Sequence, residues 1–248
     1  YWYSGKTKTE SLYNRNEHIV TSLHANYDFR ITDQHMFNAM FGASHEELDA
    51  RGFNAYRYDL ITDELPVLGL GDSEQQYNGE YNNAWAITSI FGRLSYNWDN
   101  RIFVEATYRN DGSSKFAPNN RWGYFPAGAF AWRLSEEPFM AVAKDWLSNL
   151  KVRLSYGTSG SDNINSNLWR ETWSSLSSSS NHTPINGELG SFYRPDGLLA
   201  NSDLKWETTT SWNAGFDFGF LQDRITGSFD YYTRQTKDLI ATVPAAAG

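Results

Sequence analysis

Along most of this chain apolar and polar residues alternate one for one, which is the signature of extended strands with two unlike faces. Between 19 and 29, Ile19, Leu23, Ala25, Tyr27 and Phe29 take one face, and Ser22, His24, Asn26 and Asp28 take the other. The chain reverses through Thr32-Asp33-Gln34, after which Phe37, Ala39, Phe41 and Ala43 share a side. Ile90, Leu94, Tyr96 and Trp98 lead into an Asp99-Asn100 turn, and Ile102, Val104, Ala106 and Tyr108 then oppose Glu105, Thr107 and Arg109. Leu150, Val152, Leu154 and Tyr156 alternate with Lys151, Arg153 and Ser155. Trp212, Ala214, Phe216, Phe218 and Phe220 alternate with Asn213, Gly215, Asp217 and Gly219. Past Gln222-Asp223, Ile225, Phe229 and Tyr231 continue the pattern against Thr226, Ser228 and Asp230.

A two-sheet sandwich and a membrane barrel both produce such alternation. The connections favour the barrel. Those at 31–34, 98–101 and 221–224 are tight, whereas those at 44–84, 110–121 and 158–203 are long and polar. Short and long fall on opposite ends, as a meander with periplasmic turns and extracellular loops requires. Composition agrees: 16% of the residues are aromatic, yet the mean hydropathy is −0.60. A barrel wall needs both, rings toward lipid and polar groups toward a wet lumen. Glycines at lumen positions, Gly215 and Gly219, suit a curved wall. No apolar run approaches the ~20 residues of a membrane-spanning helix, which says nothing against strands of about 9–11 residues. The register predicts that Leu94, Tyr96, Val104, Leu154, Phe216 and Phe218 face lipid. Glu136 through Trp146 is predicted to be helical, with Ser135 as N-cap and Pro138 near the first turn. Ser174–Ser180 reads as a low-complexity loop. The start, YWYSGKTKTE, has no signal-peptide pattern, and LIATVPAAAG is not an aromatic last strand, so both ends are read as internal.

Several function classes are excluded or disfavoured. The chain has no cysteine, hence no disulfide scaffold, thiolate metal site or Cys nucleophile. A net charge of −8 argues against nucleic acid as a partner. Gly157-Thr158-Ser159-Gly160 has the wrong spacing for a nucleophile elbow, and Gly69-Leu70-Gly71 lacks the third glycine of a dinucleotide loop. His45-Glu46-Glu47 has no second His at zincin spacing; His18 and His24 are read as lumen-facing polar residues rather than metal ligands. Asn181-His182-Thr183 fits a glycosylation acceptor only as a chance pattern. Glu105, Asp111, Asp217 and Asp230 invite a glycosidase reading, against which stands the plainer one of solvated lumen groups. No catalytic, metal or cofactor site is expected, and the chain is not read as an enzyme.

Three blocks carry a resemblance. Arg109–Phe116, Asn120–Pro126 and Trp132–Glu137 make up the first; LKVRLSYG at Leu150–Gly157 is the second; NSDLKWETTTSWNAGFDFGFLQDRITGSFDYYTRQTKDL at Asn201–Leu239 is the third. Together they resemble the barrel of the SusC/RagA-type TonB-dependent outer-membrane importers of Bacteroidetes. The resemblance implies a large antiparallel transmembrane barrel of about 22 strands, of which this chain would supply roughly nine or ten at this strand spacing. The N-terminal domain, TonB box and plug of such importers are not seen, so 1–248 is read as part of one barrel domain. It further implies uptake of an oligosaccharide or oligopeptide across the outer membrane, together with a SusD-like surface lipoprotein and TonB. A passive porin, or a secreted carbohydrate-binding sandwich, is the alternative. Within the matched blocks, Asp111-Gly112 is read as a turn, and Trp122, Tyr124 and Phe125 as girdle aromatics. By strand parity the loop 158–203 is extracellular, and its aromatic cluster marks Trp169, Trp173, Phe192, Tyr193 and Arg194 as candidate substrate contacts.

Overall fold

The computed structural model describes residues 7–62, 64–176, 192–195 and 199–241, with backbone alone at 174–176 and 192–195. The strands are β1 (Lys8–Thr32), β2 (His35–Tyr58), β3 (Gln76–Trp98), β4 (Ile102–Ser113), β5 (Trp122–Arg133), β6 (Leu147–Ser161), β7 (Trp173–Leu176), β8 (Phe192–Pro195), β9 (Glu207–Phe220) and β10 (Ile225–Lys237). Eight of them form one sheet in the order β1-β2-β3-β4-β5-β6-β9-β10, while β7 and β8 pair separately. The second sheet found among the described residues has only these two short strands, too few for the second layer of a sandwich, so that alternative is set aside. The chain divides into two compact units, one of Tyr1–Val20 with Glu46–Ala86, the other of Thr21–His45 with Ile87–Gly248.

In the larger unit the register keeps each apolar set together. Tyr96, Val104, Phe130, Leu154, Ala214 and Tyr231 lie side by side across six strands, and Trp98, Ile102, Trp132, Val152, Phe216 and Phe229 form the next row. The opposite face carries Ser95, Glu105, Ala129, Ser155, Asn213 and Tyr232, then Arg93, Thr107, Ala127, Gly157, Ser211 and Arg234. All six residues of the lipid-facing expectation therefore share one face. Large apolar side chains on that face stand exposed, Leu154 at 50% and Phe216 at 40%, whereas Ser89 and Asp111 on the opposite face are buried, at 1% and 7%. A water-soluble sheet does the reverse.

The turns follow local chemistry. Asp99 and Asn100 take φ of 50° and 54°, the left-handed pair that a two-residue hairpin needs and that Asp and Asn tolerate. The Asn97 side chain accepts from the Asn100 N–H at 2.9 Å, and Arg101 N–H closes onto the Trp98 carbonyl at 2.8 Å.

Three local expectations are corrected. The segment after β5 is not an α-helix but two 3₁₀ turns, Leu134–Glu136 and Pro138–Ala143; Ser135 is buried within the first and makes no cap. The long loop at 44–84 is mostly strand, leaving only 59–75 as the connection. Asp111-Gly112 is not a turn but the end of β4, paired with Gly123 and Trp122.

The smaller unit contains residues 8–20 of β1, 46–58 of β2 and 76–86 of β3. Its connection is tied down by hydrogen bonds: Asp59 N–H to the Thr7 carbonyl (2.9 Å), Leu60 N–H to Thr7 Oγ1 (2.9 Å) and Thr9 Oγ1 to the Pro66 carbonyl (3.0 Å). Arg15–Glu17 and Arg51–Asp49 pair two residues apart, so each pair shares one strand face.

Candidate functional site

On the polar face of the larger unit several ionisable groups are in mutual contact. On β6, Arg153 Nη2 donates to Asp217 Oδ1 on β9 at 2.9 Å and to Asp230 Oδ2 on β10 at 3.1 Å. Gly215 lies between them, and a side chain there would collide with the Asp230 carboxylate. Ser95 Oγ donates to Glu105 Oε2 at 2.9 Å, and Asn38 Nδ2 to Asp28 Oδ1 at 2.6 Å. Asp28, Asn38, Ser95, Glu105, Arg153 and Asn213 line one depression. The carboxylates singled out in the sequence thus share the polar face, each held by a donor, with Asp111 buried at 7% exposure. Asp217 and Asp230 share a single cation, a pairing between strands that sequence alone does not show.

Toward the long connections the same face closes into the main hydrophobic cluster of the described residues. Phe116, Phe125 and Trp206 are buried, with Ile164, Leu204 and Ile240 packed against them. Trp206 Nε1 donates to the Arg121 carbonyl at 2.7 Å, and Arg121 Nε donates back to the Phe116 carbonyl at 3.3 Å. Beneath lies a polar layer. Ser113 Oγ donates to Asp162 Oδ2 at 2.8 Å, Lys115 Nζ sits 3.6 Å from that oxygen, and Arg109 grips both oxygens of Asp111 at 2.7 and 2.8 Å. Asn120 Nδ2 reaches the Ser202 carbonyl at 3.0 Å. These contacts latch both ends of the loop after β6 onto the connection 114–121. Phe125 accordingly belongs to this latch and not to a girdle; Trp122 and Tyr124, on the other face, are 47% and 60% exposed. Neither Asp162 nor Trp206 stood out in the sequence, since their partners lie tens of residues away.

Within the loop, the pairing of β7 with β8 brings four of the five expected contact residues onto adjoining strands, with Trp173 opposite Pro195, Ser174 opposite Arg194, Ser175 opposite Tyr193 and Leu176 opposite Phe192. Trp173 is 57% exposed. Trp169 is half-buried with the Arg170 guanidinium 5.7 Å from its ring centre. The side chains of Phe192, Tyr193 and Arg194, most of the low-complexity run and Asn181-His182-Thr183 lie outside the described residues.

Comparison with known proteins agrees with this architecture. The family model described as "TonB dependent receptor-like, beta-barrel" matches residues 1–248. The TonB-dependent receptor SusC of Bacteroides thetaiotaomicron is 37% identical over 213 residues, covering 86% of this chain and 20% of that protein. A TonB-dependent receptor of Formosa agariphila is 30% identical over 211 residues, covering 85% of this chain and again 20% of the relative. The chain therefore spans about a fifth of the length of these curated relatives. Among solved structures, one of the RagAB peptide transporter superposes with a TM-score of 0.83 at 24% identity, covering 96% of this chain and 25% of that one. With the family model spanning the whole sequence and an open antiparallel sheet that turns its apolar side outward, the chain belongs to the TonB-dependent receptor-like β-barrel family.

Proposed function

We propose that this chain forms part of the wall of an energy-coupled importer that carries an oligosaccharide or oligopeptide across the bacterial outer membrane. One observation carries the reading: the larger unit leaves large apolar side chains such as Val104, Leu154, Phe216 and Phe229 exposed together on one face of the sheet while charged groups pair on the other, an arrangement favourable with lipid on one side and a hydrated passage on the other. The apolar rows then meet outer-membrane lipid, the Arg153–Asp217–Asp230 face lines the passage, and the latched loop lies on the extracellular side. The plug and the segment that engages TonB belong to other parts of the full protein. Energy for plug displacement arrives through TonB from the inner membrane, so the wall needs no nucleotide site. The similarity to SusC and to the RagAB complex supports a SusD-like lipoprotein as the extracellular partner. Loops as long as 162–206 commonly serve binding.

Uptake of labelled oligosaccharide and oligopeptide pools by cells making the full-length protein tests the proposal. Uptake should stop when the inner-membrane proton gradient is collapsed or TonB is deleted. Transport that continues under both conditions would mean a passive pore.

A further inference from the structure

The smaller unit carries a second aromatic surface that neither the family match nor the lipid-facing rows account for. On β3 its rings stand at odd positions, Tyr77, Tyr81 and Trp85, whereas the apolar set later in the same strand stands at even ones, Ile90, Leu94, Tyr96 and Trp98. The ring of Tyr81 occupies the space where Gly52 of β2 would carry a side chain, and its hydroxyl lies 3.4 Å from Asn14 Oδ1 on β1. A side chain that starts on β3, crosses β2 and ends at β1 lies along the sheet instead of standing on it. Tyr81 is nevertheless 51% exposed, so it turns one ring face outward. The Asn54 side chain of β2 fills the space beside Gly79 of β3 with its Oδ1, and its Nδ2 donates to Glu10 Oε1 on β1 at 3.0 Å. Tyr77, 50% exposed, stacks on Tyr56 with centroids 5.1 Å apart and forms a wall beside this floor.

We propose that Tyr81 is the floor of a subsite for one ring of a neutral oligosaccharide, with Asn14 and Asn54 hydrogen-bonding its hydroxyl groups; this rests on the importer reading above. The apolar C–H face of a pyranose fits a flat, exposed ring, and carboxamides offer both donor and acceptor to hydroxyls. Charge points the same way. Glu10 is paired with Lys8 at 2.8 Å and Glu46 with His18 at 2.8 Å, so these carboxylates are already engaged and do not call for a cationic ligand. The two glycines are what let side chains lie flat here, and a side chain at either would lift the floor.

The test uses the purified full-length protein with neutral linear hexasaccharides of glucose, xylose and mannose, and hexa-alanine as the peptide probe, measured by calorimetry. At least one hexasaccharide should bind. Tyr81→Ala and Gly52→Val should each weaken it by roughly tenfold or more, while Tyr81→Phe keeps most of the affinity. Heat-modifiable mobility on gels confirms that each variant is folded. Unchanged affinity in folded Tyr81→Ala, binding of hexa-alanine alone, or binding of no probe each overturns the subsite. The importer reading fails separately, if uptake by cells is independent of the proton gradient.

Discussion

Leu221 opens the turn between β9 and β10 at φ 54°, followed by Gln222 at 58° and Asp223 at 60°. A left-handed conformation costs an L-residue other than Gly, Asn or Asp about 1–2 kcal/mol, and Leu221 lacks the short polar side chain that offsets it at Asp99 and Asn100. Leu221→Gly should raise the stability of the full-length protein by about 1 kcal/mol, read as a higher urea midpoint in lipid vesicles. Gly215→Val should have the opposite effect. Its side chain would meet Asp230 and the Phe229 carbonyl at 2.8 Å, so a loss of roughly 2–3 kcal/mol is expected in the same measurement. At the loop, Trp169→Ala with Trp173→Ala separates two roles for the exposed rings. Loss of cargo affinity with the lipoprotein still bound assigns them to substrate, and loss of the lipoprotein alone assigns them to the partner interface.

Whole strands were legible where one face meets an apolar surrounding and the other a polar one. That contrast is strongest in β4, β6 and β9, and their register holds in the structure apart from one irregularity at Leu147–Asn149 in β6. Placing Arg on the apolar side of β6, as Leu154→Arg, should cost about 2–4 kcal/mol in bilayers, while Ser155→Arg on the other side should cost little. Equal costs for the two would show the sides to be misassigned. β5 escaped notice because Gly123, Pro126, Gly128 and its alanines flatten the contrast. The strands of the smaller unit escaped because charged pairs such as Arg51–Asp49 occupy one face and paired tyrosines the other, leaving no simple apolar rhythm. Ser135 and Pro138 read as a helix start, but the stretch beyond them sustains only short 3₁₀ turns. The latch was not legible at all, since Phe116 and Trp206 meet only through the fold. Trp206→Ala should free the base of the loop at a cost of about 3 kcal/mol, and trypsin should then cut faster at Arg170 and Lys205.

At the scale of the molecule, a partner is expected wherever long loops and exposed rings coincide. Solubilising native membranes and capturing the full-length protein should bring down one lipoprotein; its consistent absence would count against the proposed complex. Among the described residues the sheet also contains a single pairing that is not between strands adjacent in sequence: β6 with β9, across the loop 162–206. Every other neighbour in it can zip from a nearer turn. Closing a loop of that length costs about 3 kcal/mol more chain entropy than closing a two-residue hairpin. Trp206 directly precedes β9, and its docking against Phe116 and Phe125 delivers that strand to the open side of β6. Assembly then has a natural sequence in time. The β5–β6 and β9–β10 hairpins are expected to form early, the aromatic latch to hold the second near the first, and the β6–β9 seam to close last. Loss of the Trp206 ring should therefore slow insertion into vesicles more than it speeds extraction from them, a kinetic asymmetry that no static contact would produce.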